Sequence, residues 1–553
     1  MKKGVSKIKG KILSILKETV SIDSFSATEN ENKVSEYLYD YMMNIKYFTE
    51  NPNLFGNFVI EDDHLGRRVS YGLVRGKSKK TVVLMNHHDV VGIDDYGSIR
   101  DYAFDIEKLP EKIREININA EALEDLNSGE WIFGRGAADM KGGLAIQLAY
   151  LERYSELEER EGNILFISVP DEESYSTGMR GAVKLLSQLK EEFDLEYSFL
   201  IDCEPNFKVN GKHVVSLGTA GKCMPVILAQ GQKSHICRCF DGLNPIGVLG
   251  EIFSRTELSL EFSDELDGEI TVPPTWNYFK DMKVEYDVSV PIRACGYFSV
   301  ISFYTSPDEI LEKLRRISND SFEAYVNKMK MIYSEYKCKN MHCSEREIEF
   351  KPAVMSFTEL MKIASEKDKE GFARFYEKLY GEISEKIVKN EINYPQATIR
   401  IMDEVLNFTG ISYPVIVLGF APPYYPALNS RKISGKGHII DECYDLIRDY
   451  AHDNFNYDLN YENYTVGLSD CSYCAVDKAF DYDSFSLNTP MWGKLYSIDF
   501  EGIEKLNIPS IIFGPWSKDY HQATERVNRE SLTVIVPKLI DEIVNYIFKN
   551  KTF

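Results

Sequence analysis

The sequence predicts an α/β fold with a mainly parallel sheet, interrupted by a second, smaller domain. Apolar runs of strand length alternate with stretches whose apolar residues recur at helical spacing, which is the pattern of a parallel sheet covered by helices. The chain has 553 residues, more than the roughly 250–300 that one hydrophobic core holds. The predicted sheet strands are Thr81–Met85, Asn163–Val169, Ser198–Ile201 and Pro509–Phe513, and the clearest helices are Gly143–Leu157 and Gly181–Leu189.

The middle of the chain predicts a β-α-β-β-α-β domain inserted into the first. Its strand signals are Lys222–Ala229, Val284–Val290, Tyr297–Tyr304 and Pro414–Phe420, with a helix from Asn244 to about Ser259. Ser306, Pro307 and Glu309 form the pattern of a helix start, namely a capping serine, a first-turn proline and a glutamate three residues after the cap. The predicted boundaries are 1–220 and 423–553 for the first domain and 221–422 for the second, with a helical insertion at about 310–410.

The charge of the chain excludes two classes of partner. The formal net charge is −22, which disfavours binding to nucleic acid or to an anionic membrane. The N-terminal residues have the spacing of an amphipathic helix rather than of a signal peptide, and we expect a cytoplasmic protein. The ten cysteines are scattered and are expected to be reduced thiols.

Asn86-His87-His88-Asp89 directly follows the first predicted strand. Alternate residues of a strand share a face, so His87 and Asp89 point the same way. An aspartate in this place can hydrogen-bond an imidazole and orient it as a metal ligand. The alternative interpretation is an ordinary polar strand end.

Gly134-Arg135-Gly136-Ala137-Ala138-Asp139 precedes a predicted helix and resembles a dinucleotide-binding loop. Asp139, however, stands where the third glycine of that loop belongs, and its carboxylate would repel a pyrophosphate. A carboxylate has two oxygens and can bridge two cations instead. A turn with a helix cap is the alternative.

Asp171-Glu172-Glu173 follows the strand Asn163–Val169. Three consecutive acids repel one another unless a positive charge lies nearby. One carboxylate can bind a metal while its neighbour acts as general base on the attacking water. The alternative is a solvated acidic loop.

Two further segments complete the set: Asp202-Cys203-Glu204 follows a strand, and a segment ending in His521 follows the last strand. Ligands of open α/β sheets bind at the carboxyl ends of the strands. We therefore expect imidazoles and carboxylates to converge at one rim of the sheet around divalent cations. Mixed nitrogen and oxygen ligands suit Zn²⁺, with Co²⁺ or Mn²⁺ as alternatives.

Together, these segments resemble the M20 metallopeptidase family of carboxypeptidases, aminoacylases and desuccinylases. The stretches Ser216–Gly221 and Gly231–His235 are similar to the segments through which the family's chains enter the lid domain. The stretch Gly467–Asp470 is similar to a motif that comes late in the family's sequences. The segment Asp287–Arg293 and the helical insertion resemble the RocB-type arginine-utilisation subgroup. The resemblance implies an α/β/α zinc-exopeptidase-like catalytic domain with an inserted ferredoxin-like lid.

The resemblance also implies two zinc ions per subunit and a role for each residue. His87, Asp139 and Glu204 would hold one ion, and Asp139, Glu173 and His521 the other, with Asp139 bridging. Asp89 would orient His87, and Glu172 would act as general base. His235, on the lid, would stabilise the tetrahedral oxyanion. The implied substrate is a peptide or an N-acyl amino acid, and the implied assembly is a homodimer through the lid.

Some assignments stay open at the level of sequence. His88 competes with His87, and Asp202 competes with Glu204. Asn86 stands where the family usually has glycine. The lid arginine that grips a substrate carboxylate in the family's carboxypeptidases has no clean match, and the candidate substrate-binding residues are Arg238, Asn244 and Arg293.

Three functions are compatible with these segments. The first is a metal-dependent hydrolase of amide bonds. The second is a non-catalytic metal-binding or regulatory protein with the same fold, which the intact Glu172 disfavours because metal binding alone does not need that residue. The third is a nicotinamide-dependent dehydrogenase, which Asp139 disfavours.

Overall fold

A computed structural model describes residues 2–340, 343, 346–476 and 481–550. The chain forms two compact units. The first consists of Met1–Thr219, Leu428–Val476 and Asp499–Phe553, and the second of Ala220–Ala427 and Asp477–Ile498.

The α-helices are, in chain order, α1 (Lys2–Val20), α2 (Glu31–Met43), α3 (Lys46–Glu50), α4 (Leu109–Lys112), α5 (Ala120–Ser128), α6 (Lys141–Ser155), α7 (Thr177–Phe193), α8 (Pro245–Thr256), α9 (Pro307–Lys339), α10 (Phe357–Lys367), α11 (Lys369–Val388), α12 (Tyr394–Thr409), α13 (His438–Phe455), α14 (Tyr482–Leu487), α15 (Phe500–Leu506) and α16 (Val536–Lys549).

The strands are β1 (Phe55–Val59), β2 (Arg68–Val74), β3 (Lys80–His87), β4 (Trp131–Phe133), β5 (Asn163–Val169), β6 (Glu196–Asp202), β7 (Lys208–Val209), β8 (Lys212–Ser216), β9 (Gly218–Thr219), β10 (Gly221–Cys223), β11 (Pro225–Gln230), β12 (Glu265–Leu266), β13 (Glu269–Ile270), β14 (Thr275–Asp281), β15 (Arg293–Ser302), β16 (Val354–Ser356), β17 (Val415–Phe420), β18 (Leu428–Asn429), β19 (Leu459–Glu462), β20 (Ser510–Ile512), β21 (Ser517–Lys518) and β22 (Arg526–Asn528).

The main sheet of the first unit has the strand order β1-β2-β5-β3-β6-β20-β8-β19. Its four central strands, β5, β3, β6 and β20, are parallel to one another. The flanking strands β2 and β8 are antiparallel to that centre, so the sheet is mixed. The predicted α/β class and its parallel centre are confirmed. Every residue of β5 is buried, which agrees with its mainly apolar sequence.

The second unit contains a β-α-β-β-α-β domain, as predicted. Strand β15 lies between β14 and β11, and β11 lies between β15 and β17, with all of these pairs antiparallel. The resulting order, β17-β11-β15-β14, is that of a ferredoxin-like sheet. Helix α9 follows β15, packs against α8 and β17, and is the second helix of this domain. Helices α10 to α12 enlarge the domain and end at Thr409. The predicted capping box is present, since Ser306 Oγ accepts from the N–H of Glu309 and the Glu309 carboxylate accepts from the N–H of Ser306.

The prediction of a strand at Val284–Val290 is wrong. The second strand of this domain is Thr275–Asp281, and the alternating stretch after it lies outside the sheet. Val284 and Tyr286 are 98% and 93% exposed, so their alternation reflects no buried face. The true strand is an edge strand with mostly exposed residues and a bulge between Trp276 and Tyr278, which weakens its signal in the sequence.

A short segment after 476 belongs to the second unit, whereas the predicted boundary at 423 places it in the first domain. Phe485 of α14 packs against Phe420 and Tyr424, and the carbonyl of Asn488 accepts from the N–H of Phe420. These are contacts between segments distant in sequence, and local patterning does not reveal them.

Two further expectations from composition can be compared with the structure. None of the ten cysteines, all of which are described, forms a disulfide. Among the described residues, no helix has both the length and the apolar character that a membrane span requires.

Candidate metal centre

The predicted metal-binding residues lie at the carboxyl ends of the parallel strands. His87 is the last residue of β3, Glu173 follows β5, and Glu204 follows β6. His521 follows β20 and the short strand β21, and Asp139 lies in the loop before α6. Four separate sheet strands and one loop therefore deliver these side chains to one rim.

Asp139 lies between the two imidazoles. Its Oδ1 is 3.1 Å from His87 Nε2, and its Oδ2 is 3.2 Å from His521 Nε2. The two oxygens of one carboxylate thus face two different histidines. This is the arrangement expected of a carboxylate that bridges two cations.

Each imidazole has a further carboxylate beside it. Glu204 Oε1 is 3.6 Å from His87 Nε2, and Glu173 Oε1 is 2.9 Å from His521 Nε2. Ligand atoms of His87, Asp139 and Glu173 all lie within 4.8 Å of one another. Donors about 2.1 Å from a shared tetrahedral Zn²⁺ are about 3.4 Å apart, so this trio has the spacing to share one such ion.

The charges of the cluster are strongly coupled. Burial raises the pKa of Glu172 and of Glu204 well above the usual range, and neighbouring carboxylates add to the shift. Burial lowers the pKa of His87, but the carboxylates of Glu204, Asp139 and Asp89 outweigh it and raise that pKa well above its ordinary value. Hydrogen bonds to Asp139 and Glu173 raise the pKa of His521 to about 10. Buried carboxylates that lie close together repel one another when all are ionised. Cations placed among them stabilise the ionised state.

Asp89 connects the histidine strand to the acidic loop. On the side of the ring opposite Asp139, His87 Nδ1 is 3.2 Å from the backbone carbonyl of Asp89 and 3.4 Å from its Oδ1. The same carboxylate accepts hydrogen bonds from the backbone N–H groups of Glu172 and Glu173 at 3.1 and 3.2 Å. Asp89 therefore orients His87 and also anchors the two glutamates.

The competing residues have other partners. His88 Nδ1 is 2.9 Å from Ser168 Oγ on β5, and burial lowers the pKa of His88 to about 3. Asp202 accepts a hydrogen bond of 2.6 Å from Ser469 Oγ. His87 and Glu204 are therefore the members of each pair that lie within 4 Å of another acid or imidazole of the cluster.

A buried ionic network fixes the start of the acidic loop. Asp171 has a positive φ of 67°, a conformation that few residues other than glycine adopt. Arg67 lies 2.7 Å from Asp171 Oδ1 and also pairs with Asp63. The N–H of Thr177, the first residue of α7, donates to Asp171 Oδ2. These contacts offset the strain of the turn that presents Glu172 and Glu173.

The remaining candidates belong to the second unit. His235 is exposed and precedes a 3-10 turn, where its Nδ1 accepts from the N–H of Cys237. Arg238 is exposed in the same turn. Asn244 caps α8 by accepting from the N–H of Ile246. The Arg293 guanidinium binds Gln230 and Asp403. The predicted roles of these four residues in oxyanion or substrate binding stay predictions.

Sequence reasoning assigned no role to several residues that support the site. Ser469 holds Asp202, and Asp470 contributes to raising the pKa of Glu172; both belong to a segment noted only for its resemblance. Glu525 accepts hydrogen bonds from the N–H groups of Ala138 and Asp139. Glu525 lies four residues after His521, and the chain has 86 acidic residues. An acidic residue at this position therefore does not by itself indicate a role at the site.

A cavity of about 120 Å³ adjoins the cluster. Its lining includes members of the cluster, apolar side chains and further polar side chains. The cluster members are Asp139, Glu172, Glu173, Glu204 and His521, the apolar side chains include Phe207, Val214, Leu468, Ile512 and Phe513, and the further polar ones are Asn206, Ser216, Thr465 and Tyr520. Among the described residues that line this cavity there is no lysine or arginine.

Comparison with known proteins identifies the family. The family described as peptidase family M20/M25/M40 matches residues 105–540, most of the chain, and the chain belongs to this family. It is accordingly a metallopeptidase-class hydrolase of peptide or amide bonds.

Individual relatives agree with that assignment. The chain is 30% identical to the uncharacterised protein YqjN of Bacillus subtilis, covering 98% of this chain and 97% of that one. It is 28% identical to protein RocB of the same organism, covering 96% and 94%, which confirms the resemblance to RocB. The crystal structure of the YxeP protein of B. subtilis, described as a dinuclear metal binding peptidase of the M20 family, has a TM-score of 0.50 at 10% identity, covering 98% of this chain and 99% of that one.

Proposed function

We propose that the protein is a di-zinc amidohydrolase that cleaves the amide bond of a small peptide or an N-acyl amino acid. The main supporting observation is the position of Asp139, whose two oxygens face His87 and His521 at 3.1 and 3.2 Å. One carboxylate with an imidazole on each oxygen fits a bridged pair of cations better than a single ion.

The donor set specifies which residues would hold the ions. His87, Asp139 and Glu204 would form one position, and Asp139, Glu173 and His521 the other. Nitrogen and oxygen donors without thiolate suit Zn²⁺, and they also accept Co²⁺ or Mn²⁺. When bound, two such ions would lower the pKa of the attacking water and polarise the scissile carbonyl.

Glu172 would transfer the protons of the reaction. It lines the cavity beside the cluster, and its Oε2 is 4.0 Å from His87 Nε2. As general base it would take a proton from the attacking water, and as general acid it would deliver that proton to the leaving amine. Asp89 fixes the backbone of Glu172, so the carboxylate is positioned before substrate arrives.

The cavity indicates which part of the substrate the first unit receives. Its lining includes apolar side chains such as Phe207 and Val214 and uncharged polar ones such as Ser216 and Thr465. About 120 Å³ of space suits a small uncharged acyl group or side chain. Any charged group of the substrate would have to be recognised elsewhere, for which Arg238, Asn244 and Arg293 are the candidates from the sequence.

The test is turnover by purified protein supplied with Zn²⁺, Co²⁺ or Mn²⁺. The panel contains dipeptides and N-acyl amino acids, among them arginine derivatives because of the resemblance to RocB, and amine release is measured. We expect turnover of at least one substrate, and a fall in kcat of about 10²–10⁴-fold for Glu172→Gln with unchanged metal content. Two bound ions without turnover of any substrate would favour a metal-binding or regulatory protein instead.

We further propose a cytoplasmic homodimer that associates through the lid. The observation behind the compartment is an acidic chain whose cysteines form no disulfide. Sedimentation velocity tests the assembly, since a monomer at micromolar concentration would contradict it. Fractionation of cells that express the tagged chain tests the compartment.

A further inference from the structure

Two residues that are adjacent in sequence, Glu525 and Arg526, reach two different loops of the metal centre. Both side chains are fully buried. Neither was expected to have a role, and neither contacts the cavity beside the cluster. Buried charges are costly unless each is paired and hydrogen-bonded, so the partners of these two side chains show what they hold in place.

Glu525 holds the loop that carries Asp139. Its Oε1 accepts hydrogen bonds from the consecutive N–H groups of Ala138 and Asp139, at 3.0 and 3.2 Å. Its Oε2 accepts from Arg135 Nη1 at 2.6 Å, and its backbone carbonyl accepts from the N–H of Gly134. The loop from Gly134 to Asp139 is therefore wrapped around one carboxylate.

Arg526 holds the loop that carries His521. Its Nη1 donates to Asp519 Oδ2 and to the carbonyl of Thr524, and its Nε donates to Asp125 Oδ2 at 2.7 Å. Thr524 Oγ1 also donates to Asp519. This closes the turn in which Asp519 and His521 have positive φ angles of 53° and 65°.

A small sheet joins the two anchors. Strand β22 begins at Arg526, and its neighbours are β4, which leads directly into the Asp139 loop, and β21, which leads into the His521 loop. Arg526 pairs with Phe133 on one side and with Lys518 on the other. Glu525 and Arg526 thus lie where the supports of the two ligand loops meet.

We propose that Glu525 and Arg526 are positioning residues that set the distance between Asp139 and His521 and so create the second metal position. The inference rests on the proposed di-metal function. The first position needs only His87, Asp139 and Glu204, and His87 and Glu204 follow strands of the main sheet. The second position needs Asp139 and His521 at a fixed distance from each other. Their two loops directly follow β4 and β21, which belong to the small sheet and not to the main sheet.

The test is Co²⁺ binding to the metal-depleted full chain, followed by its visible absorption and by calorimetry, with Glu525→Gln as the variant. An amide in place of Glu525 cannot accept from both Arg135 and the two loop N–H groups. We expect two binding phases for the wild type, and for Glu525→Gln a weakening of the second phase by about 10–100-fold, as for other residues that support metal ligands. The first phase should weaken less, because Asp139 is a ligand of both positions but His87 and Glu204 do not depend on Glu525.

Asp264→Asn is the matched control. Asp264 is also buried, and its Oδ2 accepts from the N–H groups of Phe303, Tyr304 and Thr305, but it lies in the second unit and holds no ligand loop. This variant loses a comparable anchor, and both Co²⁺ phases should keep wild-type affinity. If Asp264→Asn weakened the second phase as much as Glu525→Gln, general destabilisation would explain both results and the proposal would be overturned.

Arg526→Lys provides an independent variant in case Glu525→Gln does not fold. Lysine keeps the charge but cannot bind Asp519 and Asp125 with a planar fork. Because Arg526 holds only the His521 loop, the second phase alone should weaken in this variant. Wild-type affinity for both ions in either folded variant would overturn the positioning role and leave the di-metal proposal standing. A wild-type chain that binds fewer than two ions would overturn both.

Discussion

Asp89 accepts a hydrogen bond from the backbone N–H of Glu172 at 3.1 Å. The same carboxylate lies 3.4 Å from His87 Nδ1. One buried side chain therefore aligns the proposed general base and a proposed metal ligand, which come from two neighbouring strands.

Replacing Asp89 with asparagine should reduce catalysis more than substrate binding. The Asp89 carboxylate contacts the His87 ring and the N–H groups of Glu172 and Glu173. An asparagine side chain has only one acceptor oxygen, so it cannot hold all three groups in place. We expect kcat to fall by about 10–100-fold with KM nearly unchanged, measured on the best substrate of the panel. A kcat within twofold of wild type would contradict the role given to Asp89.

The two metal positions should respond differently to their ligands. His521→Asn removes a ligand of one position only, so one tightly bound ion should remain. Asp139→Asn replaces a bridging carboxylate by a group with one acceptor oxygen, so both ions should be lost or weakened. Metal content after dialysis, measured by inductively coupled plasma mass spectrometry, distinguishes the two. Equal content in both variants would argue against a bridging Asp139.

Arg67→Met should destabilise the first unit strongly. Arg67 is buried and lies within 4 Å of carboxylate oxygens of Glu31, Asp63 and Asp171, and its removal leaves buried carboxylates without a cation. The expected loss is about 3–5 kcal/mol in the free energy of unfolding, measured by urea denaturation.

Arg68→Met is the control for Arg67→Met. Arg68 is the next residue, and its side chain is 37% exposed, with Glu36 at 3.9 Å. Its loss should change stability by less than about 1 kcal/mol. Equal losses in the two variants would contradict the importance of the buried network.

Stability should decrease as the pH falls below neutrality, partly because of His213. Burial, with a contribution from Lys208, lowers the pKa of His213 to about 3, and its ring stacks on Tyr457 with centroids 3.6 Å apart. In the unfolded chain His213 has a pKa near 6.5 and binds a proton at a higher pH than in the folded chain. The free energy of unfolding therefore keeps the full contribution of neutral His213 above pH 6.5 and loses it as the pH falls toward 3. Between pH 7.5 and 5.5 the loss is about 1.4 kcal/mol.

His213→Phe tests the pH dependence because it keeps a neutral ring against Tyr457. The urea-unfolding free energy of this variant should fall less than that of wild type between pH 7.5 and 5.5, by the amount that His213 contributes. Identical slopes for the two proteins would mean that His213 titrates alike in the folded and unfolded states.

The sequence by itself determined much of the first unit. Buried parallel strands such as Asn163–Val169 are mainly apolar, and their positions can be read to within a few residues because neither face meets water. The residues after those strands follow from the same pattern, since the carboxyl ends of parallel strands share one rim. The sheet pattern predicted that the segments containing His87, Glu173 and Glu204 share this rim, and the resemblance to the M20 family selected these residues within their segments.

Only the tertiary structure decided the partners of these residues. It placed Asp139 between His87 and His521, separated His88 and Asp202 from the cluster by giving them Ser168 and Ser469, and revealed Glu525 as the anchor of the Asp139 loop. The strand Thr275–Asp281 was missed for a related reason, because an exposed edge strand has no buried face to mark it. Local sequence records which faces are buried, but contacts between distant segments depend on how the whole chain packs.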